Sequence, residues 1–306
     1  MRIFLLLSTL IFTMQVDAVN LFAGKLDKYA PFDSEYFDNK EIHVWLPEGY
    51  SNAKKYAVLY MHDGQHLFDA SLTWNGQEWG VDEVASVLQS TGQTKDFIVV
   101  GIFNGNVGGR VERHNQYFPQ KVFESLPDET QRMLLKRGRN DSLVFNGALQ
   151  SDNYLKFLVK ELKPFIDKQY SVHTDKENTV IAGSSMGGLI SMYAISEYPE
   201  VFGAAACIST HWLGVAPQDK DLIPPYFFAY MQEHLPDPGS HRLYFDYGTE
   251  TLDQFYPPLQ AKADELLKAR GYGSKNWVTK AFPGAAHDED SWRKRLHIPL
   301  LFLLGK

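Results

Sequence analysis

The feature that most constrains this fold is the sequence G-S-S-M-G-G at residues 183–188. It follows residues 179–182, an apolar run typical of a buried strand, and precedes residues 189–195, which are typical of a helix. A serine at the tip of so sharp a turn needs small neighbours two positions before and after it. Ser185 has glycine at both positions, whereas Ser184 would have methionine after it. The pattern predicts a nucleophile elbow carrying Ser185; the alternative is a glycine-rich turn with solvent-capped serines.

Strands and helices alternate along the 306 residues, which predicts an α/β fold with a mostly parallel sheet covered by helices on both faces. We expect one domain, because no repeat or low-complexity linker divides the chain. Predicted strands cover 41–47, 56–62, 96–103, 179–182, 203–208, 242–247 and 276–282, and predicted helices cover 80–88, 154–169, 189–195, 256–271 and 291–304. Pro164 is expected to kink or shorten its helix, and residues 224–238 are expected to be irregular.

The N-terminus is typical of an exported protein. Arg2 precedes an apolar run at residues 3–14, and small residues flank a cleavage point after Ala18. We predict a signal peptide at 1–18, a mature domain at 19–306, and a periplasmic or secreted protein with no stable membrane insertion after cleavage. An uncleaved anchor is the alternative, although the run is shorter than the roughly 20 residues of a membrane span.

Charge and cysteine content exclude some classes of function. The formal net charge of −7 argues against binding to nucleic acid or to an anionic membrane, because both require a basic surface. The single cysteine, Cys207, lies in an apolar run and is expected to be a core residue without a disulfide. Export without disulfides favours a periplasm or bacterial exterior.

Residues 108–150 interrupt the alternating pattern with a long polar and charged stretch. It is too long for a plain connection. The stretch is either a lid insertion over the active site or a solvated excursion.

A serine nucleophile needs a base and an orienting acid, and α/β hydrolases carry them in the order serine, acid, histidine. Of the ten histidines, His287 and His297 follow the candidate acids. His297 lies within a predicted helix, and His287 lies in a small-residue loop after the last strand. We therefore predict His287 as the base. The acid is Asp253 or Glu250 after the preceding strand, with Asp253 preferred, although either could instead cap the next helix.

The oxyanion hole needs two N–H donors. One is predicted from Met186, after the nucleophile, and the other from Gln65, in the loop after an earlier strand. His62 and Asp63 lack a convincing set of partner ligands, so we expect no metal and no cofactor.

Several aromatic residues fall near predicted strand ends and could stack on sugar or aryl groups. Trp212 is the candidate for substrate binding. The alternative for each is an ordinary core or rim position. The aromatic residues considered are Trp74, Trp79, Trp212, Tyr226 and Phe227.

Residues 60–69, Y-M-H-D-G-Q-H-L-F-D, resemble the strand-plus-loop signature of the esterase D-like "putative esterase" family. Residues 44–50 (V-W-L-P-E-G-Y), the elbow, and residues 284–287 (G-A-A-H) followed by Trp292 add to the resemblance, which runs from about residue 40 to the C-terminus. The family includes enterochelin, feruloyl and acetyl-xylan esterases and mycolyltransferases. The resemblance implies an α/β-hydrolase fold.

Carried over by position, the resemblance implies Ser185 as nucleophile, His287 as base, and Met186 and Gln65 as oxyanion donors. It places the acid three residues after the strand-end glycine, where this chain has Thr251.

These patterns together predict an exported serine carboxylic-ester hydrolase that acts through an acyl-enzyme on a small-molecule or carbohydrate-linked ester. The alternatives are an acyltransferase using the same site and a catalytically silent binding protein on the same scaffold.

Overall fold

The protein is described by a computed structural model that covers residues 19–104, 110–136, 138–139, 142–143, 145, 147–217 and 221–306. The predicted signal peptide, residues 1–18, lies outside the described residues. Within the described part of the chain, no helix is long and apolar enough to cross a membrane.

A mixed sheet of eight strands forms the centre of the fold. Its strands are β1 (Lys25–Phe32), β2 (Lys40–Leu46), β3 (Ala57–His62), β4 (Phe97–Ile102), β7 (Thr179–Ser184), β8 (Ala204–Ile208), β9 (Arg242–Gly248) and β10 (Trp277–Phe282), and a separate short hairpin pairs β5 (Gly138–Arg139) with β6 (Ser142–Leu143). The order across the sheet is β1-β2-β4-β3-β7-β8-β9-β10. The strands β4, β3, β7, β8, β9 and β10 are parallel to one another, and β2 pairs antiparallel with both β1 and β4.

Helices cover both faces of this sheet, as predicted. They are α1 (Val81–Ser90), α2 (Arg110–Tyr117), α3 (Gln120–Ser125), α4 (Asp128–Lys136), α5 (Ser151–Lys156), α6 (Lys163–Gln169), α7 (Met186–Glu197), α8 (Pro224–His234), α9 (Pro257–Ala269), α10 (Glu289–Arg293) and α11 (His297–Leu304). Successive residues of β3 show why: Val58 and Tyr60 belong to one buried cluster, and Leu59 and Met61 belong to the other. A strand buried on both faces is apolar throughout. The α/β-hydrolase fold class is confirmed.

The prediction that residues 224–238 are irregular is wrong, because Pro224–His234 forms α8. The two prolines occupy the first turn of the helix, where no N–H is needed for a helical hydrogen bond. Phe227 and Met231 are buried against the core, so packing holds the helix in place.

Two other helical predictions differ in part from the structure. Pro164 does not shorten its helix, because α5 and α6 are joined through a π-helical segment, Phe157–Leu162, a wider turn that absorbs a local irregularity; a kink at Pro164 stays a prediction. The single helix expected at 291–304 is two helices, α10 and α11. β1, at the antiparallel edge, was not predicted.

The stretch at 108–150 is more regular than its sequence indicates. Its described parts include α2, α3 and α4, and α2 packs on α5 and α7. Helices this short contain too few apolar residues to show a sustained helical period in the sequence. They form because packing against the rest of the protein stabilises them. Whether this segment acts as a lid stays a prediction.

Candidate active site

Ser185 lies at the turn between β7 and α7 with φ 58° and ψ −121°. Such a backbone costs a non-glycine residue about 1–3 kcal/mol and is found where the surroundings enforce it. The Ser185 N–H donates to the Ile208 carbonyl at 2.9 Å. A Cβ on Gly183 would lie 2.8 Å from the Gly187 carbonyl carbon, so only glycine allows this approach of strand and helix.

The loop after β10 places His287 against a carboxylate. Its Nδ1 lies 2.5 Å from Asp253 Oδ1. The Asp253 side chain is 0% exposed, and its other oxygen, Oδ2, accepts from the Gly248 N–H at 2.6 Å. Burial alone would raise the pKa of Asp253, but hydrogen bonds from His287, Ser209 and Gly248 hold it below its ordinary value. The carboxyl group is therefore ionised at neutral pH.

The local backbone explains why Asp253, and not Glu250, turns inward. Residues Thr251–Phe255 form a 3₁₀ turn that starts with Thr251 at φ 53°. Thr251 Oγ1 accepts from the His287 N–H at 2.8 Å, which ties the two loops together. Glu250 precedes this turn and is exposed. Of the two candidate acids, the structure brings only Asp253 to His287.

Two further buried groups lie beside Ser185. The Tyr256 hydroxyl is within 2.8 Å of His211 Nδ1 and interacts with the Ser185 side chain, and its ring centroid is 5.8 Å from that of His287. The His211 N–H donates to the Ser185 carbonyl at 3.1 Å. Burial, followed by the nearby charge of His287, lowers the pKa of His211 well below its ordinary value, so its ring is neutral at neutral pH.

The loop after β3 reaches the same end of the sheet through a sharp turn. Asp63 has φ 58°, and Arg113 of α2 donates to both its carboxylate oxygens, at 2.8 and 2.7 Å. Asn104 adds a third hydrogen bond at 2.6 Å. Against the effect of burial, Arg113 and Asn104 hold the pKa of Asp63 below its ordinary value. This ion pair, in which Asp63 is buried and Arg113 half-buried, fixes the turn that carries Gln65.

The predicted oxyanion donors lie on these two elements. Met186 is the first residue of α7, and Gln65 lies in the one-turn helix Gly64–His66. N–H groups in the first turn of a helix have no carbonyl partner within that helix. The loops approach closely, since a Cβ on Gly187 would lie 3.3 Å from Asp63 Oδ2.

A cavity of about 300 Å³ opens beside Gln65. Its lining includes Trp74, which is 83% exposed, and Leu72, which is 48% exposed. His43 also lines it and is paired with Glu41 at 2.7 Å. The cavity combines exposed apolar surface with about as many polar side chains, and Ser185, His287 and Asp253 are not among its lining residues.

Trp212 does not line this cavity. It is 0% exposed, its indole N–H donates to Gln260 Oε1 at 2.8 Å, and its ring stacks on Phe245. In this structure it has no free surface for a substrate. Of the other aromatic candidates, Trp79 and Phe227 are buried as well, and Trp74 is the most exposed.

No group of three or more His, Cys, Asp or Glu side chains suited to a metal ion occurs among the residues that the structure describes. His62 Nδ1 is within 2.7 Å of the Tyr154 hydroxyl, and burial lowers the pKa of His62 to about 3. Cys207 is fully buried and free.

Comparison with known proteins agrees with this geometry. The sequence matches the family described as "Putative esterase" over residues 35–134 and 143–303. The chain belongs to that family. The family predicted from the sequence is therefore confirmed, and both family and fold are those of serine carboxylic-ester hydrolases.

One curated relative is an endo-1,4-beta-xylanase/feruloyl esterase from Xylanibacter ruminicola, 26% identical over 268 residues. The match covers 83% of this chain but only 28% of that protein. Among solved structures, an IroE-like serine hydrolase from Shewanella oneidensis has a TM-score of 0.66 and 21% identity, covering 92% of this chain and 80% of that one. A ferulic acid esterase from Anaeromyces mucronatus, in complex with ferulic acid, has a TM-score of 0.61 and 19% identity, covering 97% of each chain. These likenesses show a shared fold.

Sequence reasoning missed the roles of Tyr256, Arg113 and Asp63 in building this site. Asp63 sits at a strand end, which is a usable signal. Tyr256 and Arg113 come from helical segments whose approach to Ser185 depends on tertiary packing, so local pattern gave no signal for them.

Proposed function

We propose that this esterase hydrolyses carboxylic esters through Ser185, His287 and Asp253. The observation that carries the proposal is the Asp253–His287 contact of 2.5 Å, at the same end of the sheet as the strained Ser185 turn. A buried ionised carboxylate holds the imidazole in the tautomer that leaves Nε2 free to accept a proton.

The reaction follows from these positions. Ser185 Oγ attacks the ester carbonyl as His287 Nε2 takes its proton. The imidazolium, stabilised by Asp253, gives that proton to the leaving alcohol, and Ser185 is left acylated. Water then attacks the acyl-enzyme with His287 again as base, which releases the carboxylic acid and regenerates the serine.

The N–H groups of Met186 and Gln65 are proposed to bind the oxyanion of each tetrahedral intermediate. Two features support this role. The α7 N-terminus favours negative charge, and the Asp63–Arg113 ion pair anchors the turn that carries Gln65. Preorganised donors are effective because they need no reorganisation during the reaction.

We propose that the cavity beside Gln65 receives part of a small-molecule or carbohydrate-linked ester. Trp74 offers a flat apolar face for an aryl or sugar group. The X. ruminicola relative is named as a feruloyl esterase and the A. mucronatus structure contains ferulic acid, so feruloyl and sugar esters are the first substrates to examine. Export of the protein, directed by residues 1–18, is part of the same proposal.

The test is hydrolysis of p-nitrophenyl acetate and of methyl ferulate by the wild-type protein, beside Ser185→Ala. We expect turnover by the wild type and none above background in the variant. Ser184→Ala is the matched control and should retain activity. Turnover that survives in Ser185→Ala would contradict the proposal. Binding of an ester without turnover would instead support the silent binding protein, and acyl transfer to an added alcohol in preference to water would support the acyltransferase.

A further inference from the structure

A buried hydrogen-bond network meets Asp253 at Oδ2, the carboxylate oxygen that does not contact His287. Its centre is Ser209, the residue after β8, which is 0% exposed. Ser209 Oγ lies 2.6 Å from Asp253 Oδ2, 3.0 Å from Trp292 Nε1 and 2.8 Å from Arg295 Nη2. Three groups from three separate loops and helices thus converge on one hydroxyl.

The chemistry of these groups fixes the direction of each hydrogen bond. A serine hydroxyl has one proton to donate and two lone pairs to accept with. The Trp292 indole N–H and the Arg295 guanidinium can only donate, so together they fill both lone pairs. The Ser209 proton must therefore go to Asp253 Oδ2.

Arg295 is held in place by a second buried carboxylate. Asp246 of β9 accepts from Arg295 Nη2 at 3.0 Å and from Nε at 3.2 Å. It also accepts from the Tyr244 hydroxyl at 3.0 Å and from the Ser209 N–H at 3.1 Å. Burial raises the pKa of Asp246, and the Arg295 charge opposes that rise. The charges of Asp246 and Arg295 neutralise each other. We therefore infer that Arg295 acts on Asp253 through its hydrogen bond to the Ser209 hydroxyl.

These hydrogen bonds hold the Asp253 carboxylate in one orientation. Asp253 Oδ2 receives two donors, the Ser209 hydroxyl and the Gly248 N–H, and Oδ1 is left for His287. Ser209 itself has φ 42°, a backbone that glycine would adopt without strain. What serine adds at this position is its hydroxyl.

We propose that Ser209 is a positioning residue for the catalytic acid Asp253, and that Trp292 and Arg295 fix the direction in which it donates. This inference rests on the proposed function for its effect on turnover, although not for its effect on the His287–Asp253 hydrogen bond. The charged and titratable groups that face this hydrogen bond are His287, His211, Tyr256, Arg295 and Asp246.

The test uses Ser209→Gly, which removes the hydroxyl and relieves the backbone strain. Two quantities are measured: kcat for p-nitrophenyl acetate, and the chemical shift of the far-downfield proton NMR resonance of His287 Nδ1–H. We expect kcat to fall about 10- to 100-fold, the range of a hydrogen bond to a charged group. We expect the resonance to move further downfield, because a carboxylate with one donor fewer accepts the His287 hydrogen bond more strongly.

Trp292→Phe is the second variant: it removes the indole N–H and replaces the indole, which packs 5.1 Å from the His287 ring and 5.3 Å from the Trp79 ring, with a smaller ring. It should change both quantities in the same direction by a smaller amount. Ser196→Ala is the matched control: its buried hydroxyl donates to Met192 Sδ at 3.8 Å, and its loss should change neither quantity.

Each outcome decides between the inference and its alternatives. Wild-type kcat and an unmoved resonance in Ser209→Gly would overturn the positioning role. A lower kcat with an unmoved resonance would also overturn it, because the loss would then be structural. A wild-type protein that hydrolyses no ester, with a resonance that moves as expected in Ser209→Gly, would support the positioning role and count against the proposed function alone.

Discussion

Replacement of Asp253 by asparagine should abolish most of the activity without changing the shape of the site. The amide has one oxygen and one NH₂ group, and its orientation is dictated by its neighbours. Gly248 N–H and Ser209 O–H both donate to the Oδ2 position, so the amide oxygen must take that position. The NH₂ group then faces His287 Nδ1 and donates to it.

An imidazole that accepts at Nδ1 carries its proton on Nε2, and it can no longer take a proton from Ser185. The corresponding change in a serine protease lowers kcat about 10⁴-fold, equivalent to about 5 kcal/mol of transition-state stabilisation. We expect a similar loss for Asp253→Asn in kcat for p-nitrophenyl acetate, measured on protein whose melting temperature shows that it is folded.

Glu250→Gln is the matched control, since Glu250 is exposed and lies only three residues away. It should stay within about 2-fold of the wild-type rate, as surface changes usually do. A loss of less than 10-fold in Asp253→Asn, or an equal loss in both variants, would refute the assignment of the acid.

Three further predictions follow from the same geometry. Arg113→Ala leaves the buried Asp63 carboxylate without its guanidinium partner and should lower the free energy of unfolding by about 3–5 kcal/mol in urea titrations, whereas Arg132→Ala on the exposed face of α4 should change it by less than about 0.5 kcal/mol. Trp74→Ala should raise KM for methyl ferulate about 3- to 10-fold through lost stacking and leave KM for ethyl acetate, an ester without a ring, unchanged; an unchanged KM for methyl ferulate would place the substrate elsewhere. Because the pKa of Asp253 is held below its ordinary value, its carboxylate stabilises the fold above the unfolded-state pKa near 3.9, and this is lost as the pH falls through the folded value. Circular dichroism should therefore show that wild type loses more stability than Asp253→Asn below about pH 4, and parallel curves would contradict this.

The elements that sequence analysis placed correctly are those whose burial is complete. β3, β4 and β7 are apolar because both faces are covered. β3 and β7 are followed directly by the polar residues Asp63 and Ser185, and β4 is followed by Phe103 and then Asn104. The elbow could be predicted because steric contact between β7 and α7 requires glycine at two fixed positions.

What failed depended on contacts between distant segments. The proline-rich start of α8 is typical of a loop, yet the helix forms because its apolar side chains pack on the core. Trp212 follows a strand end, as a substrate residue would, but Gln260 of α9 accepts its indole N–H inside the core.

The acid could not be chosen from spacing alone. Glu250 and Asp253 lie three residues apart in one loop, and the turn at Thr251, with φ 53°, decides which side chain faces inward. That conformation depends on the His287 N–H bonding to Thr251 Oγ1, a contact across 36 residues of sequence.

The most direct test of the central claim is to label the protein with a fluorophosphonate, which reacts with activated serines, and to locate the adduct by peptide mass spectrometry. We predict a single stoichiometric adduct on Ser185, lost in His287→Ala and absent from its neighbour Ser184. An adduct on Ser184 or another serine, or undiminished ester hydrolysis by protein fully labelled elsewhere, would contradict the account.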